Sequence, residues 1–126
     1  MTRPTEIPVD AVDLADFDVV VDVRPIQAGA SIEGSVHAPL DGFLEDPGAT
    51  VDDQGARILT VCDVGMRSAV AVRRLHELGY LNAVSLAGGL DEWRLAGRPV
   101  TSTSGLSTAE LDQLVAYLLS LDGSAE

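Results

Sequence analysis

The stretch ILTVCDVGMRSAVAVRRLHELGY, residues 58 to 80, decides the fold. Its first five residues, ILTVC, are apolar and partly β-branched, which suits a strand buried on both faces. From Ser68 the period changes. Ala71, Val72, Leu75 and Leu78 recur at three- and four-residue spacing, so a helix follows, and Gly79 stands where a left-handed C-terminal cap belongs. Between strand and helix lies CDVGMR, which holds the only cysteine of the 126-residue chain. The carboxyl end of such a strand is where open parallel sheets bind their ligands.

The flanking sequence extends the same alternation. VVVDV at 19 to 23 reads as a buried strand, closed off by Pro25. SVHAPL at 35 to 40 and AVSL at 83 to 86 read as further strands. VDAVDLADF, residues 9 to 17, predicts a short helix with Asp10 as its N-cap, and GGLDEWRLAG, residues 88 to 97, another with Leu90 and Trp93 on one face. IQAGASIEG at 26 to 34 is irregular loop, and 41 to 57 is dominated by turns with one helical turn near Phe43 and Leu44. Strands alternating with helices predict an α/β domain, a mostly parallel sheet covered by helices on both faces.

Composition narrows the function. At 46% hydrophobic the chain has the makings of one globular domain with a real core. Twenty acidic residues against eight basic ones give a net charge of -12, and every basic residue is Arg. Such a surface repels phosphate backbones and anionic lipid, so neither nucleic acid nor membrane is an expected partner. The N-terminus lacks a secretory apolar core and no stretch of about 18 apolar residues occurs, so a cytoplasmic location is expected.

A single cysteine cannot close an internal disulfide, and the Cys/His spacing of a zinc site is absent, so no metal is expected. That leaves Cys62 as buried filler or as a nucleophile, and its setting favours the second. The loop after it can turn backbone N–H groups inward because Gly65 tolerates the conformations this demands. Those N–H groups, the positive end of the following helix and the Arg67 charge all favour a thiolate, the reactive form. Ser68 is placed either to cap the helix or to hydrogen-bond the sulfur. Asp63 works the other way: its charge opposes both the thiolate and an anionic substrate. Asp22 and Arg24 read as a structural ion pair rather than as catalytic groups. His37 and His76 read as incidental, and Trp93 as core.

The run ILTVCDVGMRSAVAVRRLHELGYLNAVSLAGGLDEWRLAGRPV, residues 58 to 100, resembles the second half of a rhodanese domain. The active cysteine of that family ends a strand, and a loop ending in Arg-Ser opens a helix. DVR at 22 to 24 and EGSVHAPL at 33 to 40 resemble the first half, so the resemblance covers roughly residues 5 to 100. It implies the rhodanese-like α/β fold, no cofactor, and sulfur transfer: Cys62 would take a sulfane sulfur from thiosulfate or a thiol persulfide and pass it to cyanide or a thiol. Asp63, Val64, Gly65, Met66, Arg67 and Ser68 would form the substrate-binding loop, with Asp22 and Arg24 in support. The expected partners are a small sulfur donor and a thiol acceptor, or a sulfur-carrier protein. Four residues separate Cys62 from Arg67, the spacing of rhodaneses. Phosphatases and arsenate reductases on this fold have five, a wider cradle for a tetrahedral oxyanion. The chain departs from the usual pattern in Pro25, in Ser31 where a His is usual, and in Asp63. A non-catalytic binding or regulatory module on the same fold is the alternative.

The segment 101 to 126 lies outside the resemblance. A Ser/Thr-rich linker leads to a capping-box pattern, Ser107 with Glu110, and then to Leu111, Leu114, Val115, Leu118 and Leu119 on one helical face. This extra C-terminal helix is expected to pack on the 1 to 100 domain, with a homodimer contact or partner docking as the alternatives to a packed monomer.

Overall fold

The computed structural model describes residues 4–26, 30–101, 113 and 115–117. Five short strands, β1 (Glu6–Ile7), β2 (Val19–Asp22), β3 (Val36–His37), β4 (Ile58–Val61) and β5 (Ala83–Leu86), form one sheet in the order β1-β5-β4-β2-β3, with every pairing parallel. The expected strand at 35 to 40 pairs only over Val36–His37, because Pro39 carries no N–H and instead precedes the helix α1 (Leu40–Glu45). Two longer-range elements complete the frame, α2 (Met66–Glu77) and α3 (Gly89–Leu95).

The central strand β4 is buried along its whole length. Strand alternation sends its side chains to two separate cores. On one face Ile58 packs with Val21, Val23, Phe43, Val72 and Leu75 beneath α1 and α2. On the other, Leu59 and Val61 pack with Val9, Ile32, Leu86, Leu90 and Trp93 beneath α3. Full burial of each such aliphatic or aromatic side chain contributes roughly 1.5–3 kcal/mol, so both helix layers are required to hold the sheet. Counting on by twos from Ile58 places Thr60 and then Cys62 on the α2 face. The thiol thus emerges beneath the N-terminus of α2.

Two local expectations need correction, and one element was missed. Residues 9 to 17 do not form one α-helix but two 3-10 turns, Val9–Ala11 and Leu14–Asp16. Asp10 caps neither turn; the Asp13 carboxylate accepts a hydrogen bond from Ala15 N at 3.0 Å and starts a fresh turn there. Arg98 then ties the segment down, donating to Val9 O at 2.8 Å and Val12 O at 2.7 Å while its guanidinium lies 4.1 Å over the Trp93 ring. Second, α2 begins at Met66, not Ser68. The two-residue β1 was not anticipated, since two residues are too few to show a period. The C-terminal segment lies largely outside the described residues; Gln113 and 115–117 are helical and exposed.

Ser85 Oγ is fully buried in β5 with no hydrogen-bond partner among the described residues. A buried hydroxyl left unpaired costs about 1–3 kcal/mol. Ser85→Ala is therefore expected to raise the urea midpoint by an amount equivalent to about 1 kcal/mol. A lowered midpoint would mean that the hydroxyl has a partner in solution.

Candidate active site

Cys62 follows directly on β4 and is 1% exposed. Its sulfur sits in a cradle of donors. Gly65 N donates to Sγ at 3.1 Å and Ser68 N at 3.4 Å, while the thiol reaches Ser68 Oγ at 3.6 Å. Ser68 Oγ in turn donates to Gly65 O at 3.2 Å, and Thr60 Oγ1 fixes the same residue from below by donating to Ser68 O at 2.9 Å. Loss of the thiol proton leaves the Ser68 hydroxyl able to turn its hydrogen onto the sulfur. The first turn of α2, anchored at N-cap Gly65 with φ +94°, supplies one of these donors, Ser68 N, an N–H left free by the helix itself.

Of the six residues after Cys62 expected to form the loop, the structure brings Gly65 and Ser68 to the sulfur. Arg67 does not join them. It is exposed on the first turn of α2 and makes no hydrogen bond or ion pair with another described residue. Val64 and Met66 are exposed on the outer rim.

Asp22 and Arg24 form the ion pair that the sequence suggested, and it reaches the loop. Asp22 is fully buried; its Oδ2 accepts from Arg24 Nη2 at 2.7 Å and from Ser31 Oγ at 2.9 Å, and its Oδ1 from Arg24 Nε at 3.0 Å. Ser31, standing where a His is usual, thus supplies a donor to the same carboxylate. Arg24 also donates to Ala30 O at 3.1 Å and pairs with Asp63 Oδ1 at 3.5 Å. The charge that Asp63 places beside the nucleophile is therefore partly offset by Arg24.

Burial is the largest single influence on the Asp22 carboxyl and pushes it up. The hydrogen bonds from the Arg24 side chain and backbone and from Ser31, together with the Arg24 charge, outweigh burial and hold it below the ordinary carboxylate value. A depressed carboxyl contributes stability that is full above the unfolded value of about 4 and is lost as pH falls through the lower folded value. Asp22→Asn is thus expected to cost about 3 kcal/mol at pH 7, with the gap to the parent narrowing below about pH 4. Urea melts of both proteins across that range measure it; a gap that stays constant would show that the Asp22 carboxyl titrates alike in the folded and unfolded protein.

Sequence reading missed what holds the cradle from the other side. Leu90 N donates to Cys62 O at 2.8 Å and Asp91 N to Asp63 O at 3.0 Å, so the start of α3 grips the backbone of the nucleophile itself. This approach requires Gly89, at φ +65°, where a Cβ would lie 2.5 Å from both Cys62 O and Asp63 O. The Gly-Gly pair between a strand and Leu90 was the available signal. Among the described residues no cluster of ligating side chains could hold a metal, and no helix is long and apolar enough to cross a membrane.

A parallel sheet that delivers a buried cysteine to its carboxyl edge, with the N–H groups of Gly65 and Ser68 on the sulfur, defines the class: an α/β protein with a cysteine-bearing loop between a strand end and a helix. The rhodanese-like domain family model matches residues 9–96, and the chain belongs to that family. Similar solved structures include a rhodanese-related protein from Thermoplasma volcanium, 30% identical over 77% of this chain and 97% of its own, with a TM-score of 0.67. A thiosulfate sulfurtransferase from Pseudomonas aeruginosa is 22% identical, covering 78% of this chain but 20% of its own, with a TM-score of 0.67, a likeness of fold alone. A protein from Rhodopseudomonas palustris described as a possible tyrosine phosphatase is 29% identical over 66% of this chain and 70% of its own, with a TM-score of 0.58. A search of curated proteins found no match.

Proposed function

We propose that the protein is a sulfurtransferase that carries sulfur as a Cys62 persulfide. The observation that carries this reading is the convergence of Gly65 N, Ser68 N and Ser68 Oγ on Sγ, where four residues separate Cys62 from Arg67. The Cys62 thiolate attacks the outer sulfur of thiosulfate; the new S–S bond forms as the old one breaks, and sulfite leaves with the electron pair. Cyanide or a thiolate then attacks the outer sulfur of the persulfide, and the Cys62 thiolate leaves. A persulfide extends the chain by one S–S bond of about 2 Å, which moves the reactive sulfur outward from the buried Sγ position. With no second cysteine in the chain, the persulfide cannot be lost as an internal disulfide, and the acceptor comes from outside. Arg67, exposed beside the loop, is the cation an incoming anionic donor meets.

Two other readings have something in their favour. The Rhodopseudomonas palustris neighbour raises phosphatase chemistry, against which stands the four-residue spacing: a tetrahedral dianion needs donors around every charged oxygen. Burial of Cys62 and the acidic Asp63 favour a binding module without turnover. Thiocyanate formation from cyanide, with thiosulfate or a cysteine-derived persulfide as donor, separates them. Saturable turnover supports the enzyme; phosphate-ester hydrolysis, or inactivity with both donors, contradicts it.

Asp63 bears on the choice of donor. Its charge repels a dianion by on the order of 1 kcal/mol in a surface-like dielectric, less the offset from Arg24. Asp63→Asn keeps an acceptor oxygen for Arg24 and is expected to raise kcat/KM for thiosulfate by roughly tenfold or less, with the gain shrinking as salt is added. A zwitterionic cysteine persulfide should respond much less. Thiosulfate kinetics unchanged at low ionic strength would show that the Asp63 charge plays no part.

A further inference from the structure

A groove runs along the carboxyl ends of β1 and β5, in two parts that share Ala87 and Gly88. One part, about 600 Å³, extends from Pro8 and Val9 to Leu95 and Ala96 at the end of α3. The other, about 370 Å³, is walled by Val64, Gly65 and Met66 of the cradle loop and by Val70 of α2. Large apolar side chains of the two parts stand unusually free: Leu95 of the first is 81% exposed, Met66 and Val64 of the second 75% and 54%. Isolated exposed apolar residues are ordinary, but several along one groove mark an interaction surface. The charged lining is mostly acidic, Glu6, Asp10 and Glu92 against Arg73.

We propose that this groove docks a protein segment whose apolar side chains are flanked by lysine or arginine, and that the docked partner presents a thiol as acceptor for the Cys62 persulfide. Charge selects this occupant. The chain's own segment 102–126 carries Glu110, Asp112, Asp122 and Glu126 with no basic residue, and Val115 of its apolar stripe stands 47% exposed. A second copy would bring another net charge of -12. Both are repelled where a basic segment is steered in. Because the cradle loop is itself one wall, a segment seated there lies beside the loop that holds the sulfur. In the transfer the partner's thiolate attacks the outer persulfide sulfur, a partner persulfide forms, and the Cys62 thiolate is released. The acceptor role rests on the sulfurtransferase reading; the docking does not.

Three fluorescein-labelled decapeptides test it against the full chain: leucines interleaved with lysines around one cysteine, the same peptide with lysines changed to glutamates, and the same with leucines changed to serines. Fluorescence anisotropy is expected to show the first binding at least tenfold more tightly than either of the others. Leu95→Ser and Glu92→Lys should each weaken it at least fivefold, with Leu95→Ser keeping parental turnover from thiosulfate to cyanide. Equal binding of the lysine–serine peptide, or no effect of Leu95→Ser, would overturn the proposal, leaving only general attraction to an acidic protein. So would tighter binding after Leu114→Ser with Leu118→Ser, which would make the chain's own segment the occupant, or a dimer in gel filtration that Leu95→Ser dissociates. Peptide binding without sulfur loading of Cys62 supports the docking surface and overturns the acceptor role with the sulfurtransferase reading. Sulfur loading without peptide binding overturns the docking alone.

Discussion

Cys62→Ser is expected to lower sulfur transfer by at least about three orders of magnitude while the protein stays folded. A serine hydroxyl fills nearly the same space and can keep a hydrogen bond from Gly65 N, so the cradle survives. What is lost is the thiolate, because an alcohol is not ionised at neutral pH and its oxygen cannot form the S–S bond that stores the sulfur. The buried setting makes the control sharp: a far-UV and near-UV circular dichroism spectrum matching the parent's, with thiocyanate production near the uncatalysed rate. Turnover equal to the parent's would place the chemistry elsewhere.

Gly89→Ala is expected to be the most damaging change that leaves every polar group in place. Its φ of +65° alone costs an alanine about 1 kcal/mol, and the added Cβ would meet two carbonyl oxygens at 2.5 Å. Neither carbonyl can yield, since Cys62 O and Asp63 O are held by Leu90 N and Asp91 N. Relief requires α3 to lift off the cradle, which breaks both bonds and disturbs the packing of Leu90 and Trp93. A loss of about 3–5 kcal/mol is expected, with kcat falling further than stability alone explains. Gly97→Ala is the matched control, with φ +74° and open space around the new Cβ, and should cost only about 1 kcal/mol. Equal losses in the two variants by urea denaturation would show that backbone conformation matters and the close approach does not.

The contrast between these two glycines shows how far the sequence could be read. Nothing local separates Gly97 from Gly89; the difference is a contact with residues 62 and 63, distant in the chain. The α/β frame and the place of Cys62 were legible because they rest on periodicity and on the short-range order of strand, loop and helix from 58 to 80. The Ser68 contact with sulfur was half legible, as a choice between capping and bonding that the start of α2 at Met66 resolves. The Arg24 link to Asp63 joins residues 39 positions apart in sequence and emerges only once β2 and β4 are paired in register, Asp22 beside Val61. Arg67 was misplaced for the converse reason: proximity in sequence to the nucleophile suggested a contact, but its position on α2 turns it to solvent. The 3-10 turns at 9 to 16 carry little period of their own and take their form from Asp13 and the distant Arg98.

The most direct measurement is the intact mass of the full chain after incubation with thiosulfate or with a cysteine-derived persulfide, followed by cyanide. The persulfide chemistry predicts a gain of one sulfur atom, its removal by cyanide with the parent mass restored, and no gain in Cys62→Ser. An unchanged mass with both donors, or the same gain in Cys62→Ser, would contradict it.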